Sequence, residues 1–174
     1  MVQKLGSTSL GFVAITSQAG AQTCTPPPAG LVAWWPADGN ADDIAGGNDG
    51  VAQNGANFVP GQVEGSFSFD GIDDRIEVPD STLWTFGSDF TIDLWTNFAS
   101  TCSDPGCIFI GNDEGGGNLN KWFFYATGDG YLSFHINSPS SSGPAIGQGV
   151  ASFAPTPGTW YHVALTRGGC PVRR

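Results

Sequence analysis

The feature that most constrains this chain is an alternation of side-chain character with a period of two. In "DFTIDLWTNF" (residues 89–98), Phe90, Ile92, Leu94, Thr96 and Phe98 fall on one side and Thr91, Asp93, Trp95 and Asn97 on the other. That is the pattern of a strand whose successive side chains leave on opposite faces. "GYLSFHIN" (130–137) divides Leu132, Phe134 and Ile136 from Tyr131, Ser133, His135 and Asn137. "GTWYHVALTR" (158–167) divides Tyr161, Val163 and Leu165 from Trp160, His162, Ala164 and Thr166. Phe67 and Phe69 alternate with Ser66 and Ser68, and Ile76 and Val78 with Arg75 and Glu77. "CIFIGN" (107–112) and "KWFFYATG" (121–128) complete the middle of the chain as strands, and "LVAWWP" (31–36) reads as a first strand stopped by Pro36. No window of eleven or more residues keeps a helical period without an interrupting Gly or Pro, so helix is expected to be nearly absent. The expectation is an all-β protein of eight to ten short strands, an antiparallel β-sandwich of jelly-roll type.

Composition fits this reading. With 26 Gly and 12 Pro among 174 residues, the chain has the turns that many short strands need, and at 40% hydrophobic content it can bury one sizeable core. "ADGNADDIAGGNDG" (37–50) reads as a long polar turn region and "SPSSSGPAIGQG" (138–149) as a surface loop. Residues 1–21 have the layout of an export signal: Lys4, the apolar stretch from Leu10 to Ile15, then Ala19-Gly20-Ala21 as a small-x-small cleavage pattern. A disordered arm is the competing reading of that segment. Residues 22–30, "QTCTPPPAG", read as a stiff proline-rich linker, and the domain is expected to occupy residues 31–174. No apolar run reaches the roughly 20 residues that span a bilayer, so no membrane insertion is expected. A formal charge of −10 opposes binding to nucleic acid.

Four cysteines stand at 24, 102, 107 and 170. Cys102 and Cys107 flank "SDPG", a four-residue reversal in which Pro presets its φ and Gly accepts a positive one, so the two sulfurs can meet as a disulfide across the neck of a hairpin. Cys24 and Cys170 carry no comparable local argument.

Chemistry concentrates in two places. The acidic turns at 37–50 and 70–77 offer carboxylates, amides and carbonyls, the hard oxygen donors that calcium takes, but Asp70-Gly71 and Asp73-Asp74 serve equally as turn formers that hydrogen-bond nearby amides. The second place is the polar face implied by the alternation: Asp93, Trp95, Asn97, Tyr131, His135, Asn137, Trp160 and His162. Aromatic rings beside Asn, Asp and His can stack on a sugar and bond its hydroxyls, whereas the plainer reading packs those rings under loops. Paired-carboxylate hydrolysis needs two acids at a defined separation, and Glu64, Glu77 and Glu114 do not supply such a pair; Asp93 has no evident partner. Nucleophile-elbow, zinc-protease and phosphate-loop motifs are also missing. No enzyme activity is expected.

Four ordered stretches, "GLVAWWPADGNADDIAGGNDG", "FSFDGIDDRIEVPDS", "FTIDLW" and "GTWYHVALTR", together resemble the landmarks of laminin G-like, concanavalin A-like jelly-roll domains. The resemblance covers roughly residues 30–167 and implies the fold, an exported or cell-surface setting, and a lectin-like module that binds a glycan or surface glycoprotein. Spacer or adhesion modules and glycosidases also occur in the superfamily, so the fold fixes no chemistry. The resemblance further implies a structural calcium between the loop after the first strand and the "FDG" turn. Asp43 is the first candidate ligand, Asn48 and Asp70 follow, and Asp73 and Asp74 are open to the role. One departure stands out: after "WYHVALTR" the family continues with further strands, whereas this chain reads "GGCPVRR", as in a truncated domain of a larger surface protein or a shorter variant with a basic end.

Overall fold

The computed structural model describes residues 27–86, 89–103, 106–113, 121–137, 144–146 and 151–168. The export-signal segment, Cys24 and Cys170 lie outside the described residues. The chain divides into two compact units, Met1–Gly30 and Leu31–Arg174, and the fold described here is that of the second.

Among the described residues eleven strands run in order: β1 (Val51–Gln53), β2 (Asn57–Pro60), β3 (Gly65–Ser68), β4 (Arg75–Glu77), β5 (Phe90–Asn97), β6 (Cys107–Asn112), β7 (Trp122–Ala126), β8 (Tyr131–Asn137), β9 (Pro144–Ile146), β10 (Ala151–Ser152) and β11 (Trp160–Arg167). A 3₁₀ turn, Thr82–Trp84, is capped by the Ser81 hydroxyl accepting from the Leu83 amide, and the described residues hold no α-helix. All ladders are antiparallel. The largest sheet has the order β10-β8-β7-β6 with β9 also on β8, and three two-stranded ribbons pair β5 with β11, β1 with β4, and β2 with β3. The protein is an antiparallel β-sandwich, as the alternation predicts.

The core forms where the inner face of the β5–β11 ribbon meets that of the large sheet. Trp122, Phe124, Phe134 and Val163 are buried there, with Phe90, Ile92, Leu94, Leu132, Ile136, Tyr161 and Leu165 packed around them. These are the apolar halves of the alternating patterns, and each large side chain fully withdrawn from water contributes about 1.5–3 kcal/mol. Phe109 meets Phe124 edge-on at 5.3 Å and Phe90 tilts against Phe134 at 5.6 Å, geometries that suit the ring quadrupole. The Trp122 indole nitrogen donates to the Trp84 carbonyl at 2.8 Å, so its burial leaves no unmet donor. Tyr161 ties the preceding loop to β11: its hydroxyl accepts from the Thr156 amide at 2.9 Å, which draws the phenol below its ordinary pKa.

The Cys102–Cys107 disulfide is formed, with the two Cα atoms 5.5 Å apart. Gly106 beside it has φ 128°, and a Cβ there would lie 2.5 Å from the Ala126 carbonyl, so the hairpin neck needs glycine at this position.

Two sequence expectations differ from the structure. Residues 31–36 join no ladder. Trp34 donates its amide to Asp43 Oδ1 at 2.8 Å and accepts from the Ile44 amide at 3.0 Å, so its backbone groups are satisfied by the following loop instead of by a neighbouring strand. The stretch read as a surface loop at 138–149 contains β9, which pairs Ile146 with Ile136 and Pro144 with Asn137.

Candidate functional site

The five acidic-turn residues fall into two groups. Asp43 is 6% exposed and sits at the centre of its loop. Its Oδ1 accepts from the amides of Trp34, Ala45 and Gly46, and its Oδ2 from the amide and the side-chain nitrogen of Asn48, all at 2.8–3.0 Å. Burial pushes this carboxyl up, but the donors from Gly46, Trp34 and Asn48 outweigh it and hold the group well below the usual carboxylate range. Gly46 is required by the same knot, because a Cβ there would lie 2.2 Å from the Val32 carbonyl. Both Asp43 carboxylate oxygens and the side-chain nitrogen of Asn48 are thus engaged in closing the loop.

Asp70, Asp73 and Asp74 form the other group. Each offers a carboxylate oxygen, and these oxygens lie within 4.8 Å of one another. The turn is shaped by two carboxylate bonds: Ile72 N–H donates to Asp70 Oδ1 at 2.8 Å and Asp70 N–H to Asp74 Oδ2 at 2.9 Å. Asn54 Nδ2 donates to the Asp73 carbonyl at 2.9 Å, which fastens the turn to the tip between β1 and β2. The remaining oxygen, Asp74 Oδ1, is buried without a hydrogen-bond partner. It faces Gly55, where a Cβ would lie 3.0 Å away. An unpaired buried oxygen is costly, and a hard cation held by three carboxylates is one way to satisfy it.

The polar face splits in space. The ladder of the β5–β11 ribbon sets Trp160 opposite Asn97, His162 opposite Trp95, and Ala164 opposite Asp93. Their side chains share the outward side of this ribbon, since Ile92, Leu94, Val163 and Leu165 hold the inward side. Asp93, Asn97 and His162 are exposed, Trp160 is half-buried, and Trp95 is 48% exposed. The Trp95 and His162 rings lie 5.1 Å apart, tilted by 48°. No side-chain hydrogen bond engages Asp93, Trp95 or Asn97 among the described residues.

Tyr131, His135 and Asn137 belong to the large sheet. Leu132, Phe134 and Ile136 of β8 face the same core as the inward side of the ribbon, so these three point away from it on the opposite surface of the sandwich. His135 Nε2 meets Asn137 Oδ1 at 2.6 Å, and the register places Phe123 beside His135 and Tyr125 beside Ser133. Ser133, on that outward side, is only 1% exposed. Phe123 and Tyr125 escaped the sequence reading because "KWFFYATG" carries aromatic residues on both faces.

Also unforeseen is an open cleft of about 340 Å³ lined by Ala37, Asp38, Gly39, Phe58, Val59, Pro60, Glu64 and Gly65. Ala37 and Glu64 have φ of 65° and 52°, left-handed values that no motif announces.

Antiparallel strands packed around one apolar core define a class, the all-β sandwich modules, and that class fixes no ligand by itself. A family model described as the concanavalin A-like lectin/glucanases superfamily, laminin G type, matches residues 70–172. This spans more than half of the chain, and the protein belongs to that superfamily. The match opens on the Asp70 turn and includes both strands of the β5–β11 ribbon. No curated protein and no solved structure matches the chain.

Proposed function

We propose that the protein is an exported, lectin-like module that binds a glycan or surface glycoprotein through the outward face of the β5–β11 ribbon, and that it is not an enzyme. The observation that carries this reading is the set of unengaged groups at the centre of the ribbon. Trp95 presents half its surface to solvent while Asp93 and Asn97 flank it with free hydrogen-bonding groups. An aromatic ring supplies the stacking surface for a sugar's C–H face and the neighbouring polar groups meet its hydroxyls. Among the outward residues of the β5–β11 ladder Asp93 is the one carboxylate, and the usual hydrolysis of a glycosidic bond employs two.

A structural Ca²⁺ at Asp70, Asp73 and Asp74 accompanies this reading, supported by the unpartnered Asp74 Oδ1 and the closeness of the three carboxylates. The ion would hold the turn and leave chemistry at the ribbon unaffected. The disulfide supports an oxidising compartment.

A glycan array probed with folded protein tests the reading. Specific binding that disappears in Asp93→Ala and Trp95→Ala variants supports it. A second reading, a non-binding spacer of a larger surface protein, draws on the His162 ring packed against Trp95, which already covers part of the indole. A blank array with a cooperatively folded sample selects the spacer.

A further inference from the structure

We infer that the open cleft between the turn at 37–39 and the β2–β3 hairpin is a docking site for an arginine side chain presented by a partner protein. The inference stands apart from the glycan-binding reading, which concerns the β5–β11 ribbon. The walls of the cleft are pinned to one another. The Gly65 amide donates to Asp38 Oδ1 at 2.8 Å, and a Cβ on Gly65 would lie 2.2 Å from the Ala37 carbonyl, so glycine is what lets the turn lean on the hairpin. At the hairpin tip the Gly61 amide donates to the Glu64 carbonyl at 2.8 Å.

Backbone strain is concentrated at the same place. Among the described residues the non-glycine positions with left-handed backbone are Ala37, Asn54 and Glu64, and two of these, Ala37 and Glu64, line this cleft. A Cβ makes that conformation costly, and outliers of this kind gather at ligand clamps. Glycine would close the tip without the cost, so what Glu64 adds there is its carboxylate.

The lining then names the ligand. Its apolar part is Val59, Pro60 and Phe58, whose ring is held 5.7 Å from that of Phe67 across the ladder. Its polar part is acidic. Asp38 and Glu64 are exposed, Asp38 gives one oxygen to Gly65, and among the described residues no hydrogen bond or ion pair engages its other oxygen or the Glu64 carboxylate. No Lys or Arg occurs between Leu31 and Asp74 to neutralise them. An aromatic ring and aliphatic groups beside two unpaired carboxylates complement a cation on an apolar stem. Guanidinium fits better than ammonium, because it is weakly hydrated, stacks on a ring and forks onto carboxylates. At about 340 Å³ the cleft is near the small end of the roughly 300–1,000 Å³ range of ligand sites, which suits one projecting side chain.

The test is amide NMR of the isotope-labelled full chain, titrated with an end-blocked glycine peptide carrying one central arginine and with its lysine and citrulline counterparts. Saturable shifts of the Gly39 and Gly65 amides are expected with the arginine peptide, and binding about tenfold weaker in Glu64→Gly and in Asp38→Asn. Glu64→Gly relieves the left-handed strain and Asp38→Asn keeps an acceptor for the Gly65 amide, so both variants stay folded and their losses report on charge. The lysine peptide should bind more weakly and the citrulline peptide should produce no shift. An equal response to citrulline overturns recognition of a cation, and lysine binding as tightly as arginine overturns the guanidinium assignment. Free arginine binding more tightly than the blocked peptide overturns docking of a partner and gives the cleft to the amino acid itself. No saturable shift at Gly39 or Gly65 in a sample that melts cooperatively, or a response unchanged in Glu64→Gly, overturns the inference as a whole.

Discussion

Residues 31–80 and residues 84–167 hold their shape by different means. The later region has an apolar core in which Trp122, Phe124, Phe134 and Val163 are buried. In the earlier region the buried hydrophobic residues are Ala37 and Ala41, while Val32, Trp34, Ile44, Val51 and Ile72 stand exposed. What organises the earlier region is carboxylate-to-amide bonding. Asp38 accepts from Gly65, Asp43 from three amides of its own loop and one from Trp34, Asp49 from Asp43, Asp70 from Ile72, and Asp74 from Asp70. Beside the β1–β4 and β2–β3 ladders, acidic residues there do much of what apolar burial does in the later region. The comparison teaches that the acidic clusters are first of all a folding device, and that one molecule contains two regions with opposite sensitivities.

The sharpest contrast is between truncations. Phe124→Ala removes a ring that is 1% exposed, and such a change costs about 3–5 kcal/mol. In a chain of this size the melting temperature should fall by roughly 10 °C. Ile72, 85% exposed, should lose at most about 0.5 kcal/mol on conversion to Ala. Urea melts of the two variants decide the matter: equal losses would mean that the earlier region has an apolar core after all.

Asp43→Ala comes next. Losing a charged acceptor of five hydrogen bonds should cost about 2–4 kcal/mol, because charge-assisted bonds are strong and the loop loses the buried group that draws its part-buried amides together. Asp43→Asn should recover little of it, since one of its two side-chain polar atoms is a donor where an acceptor is needed. A melt showing Asp43→Ala within 0.5 kcal/mol of the parent, about the scatter of ordinary surface changes, would break the comparison at its centre.

The same residue sets a pH dependence. The folded-state pKa of Asp43 is depressed by its donors, so the stabilisation is fully present above the unfolded carboxylate value of about 3.9 and is lost as pH falls through that value and below. The parent should therefore lose stability on acidification below about pH 4. Asp43→Asn should start lower and fall less steeply over the same range. Parallel curves would assign the acid sensitivity to other groups.

The later region was readable because alternation is a property of each strand alone. β5, β8 and β11 appear where Phe90–Asn97, Tyr131–Asn137 and Trp160–Arg167 alternate. The earlier region was not, since its structure depends on partners. "LVAWWP" has strand composition, yet the Trp34 amide goes to Asp43, and nothing local announces that choice. β1 and β2 are three and four residues long with little apolar pattern. Acidic turn chemistry was visible at Asp43 and Asp70, but which oxygens the amides would claim depends on the folded loop. The polar face was assembled from correct alternations and still fell on two surfaces. Each pattern tells which side of its own strand is inward, and two inward sides meeting at one core force the outward sides apart, so Trp95 and His135 cannot share a ligand.

Calcium gives the smallest expected effect and the most local one. Ion binding stabilises the folded state by RT ln(1 + [L]/Kd), about 1.4 kcal/mol when calcium is tenfold above Kd, so the melting temperature should rise by roughly 3–6 °C over a chelated sample. The rise belongs to the earlier region, because the three carboxylates stand between β3 and β4 and are fastened to Asn54. Asp74→Asn keeps an acceptor for the Asp70 amide while removing the charge, so it should abolish the calcium response and leave the metal-free melt nearly unchanged. Phe124→Ala should lower both melts yet preserve the difference between them. A calcium response that survives Asp74→Asn would move the ion away from this turn, and one that Phe124→Ala removes would mean that the two regions do not carry separable loads.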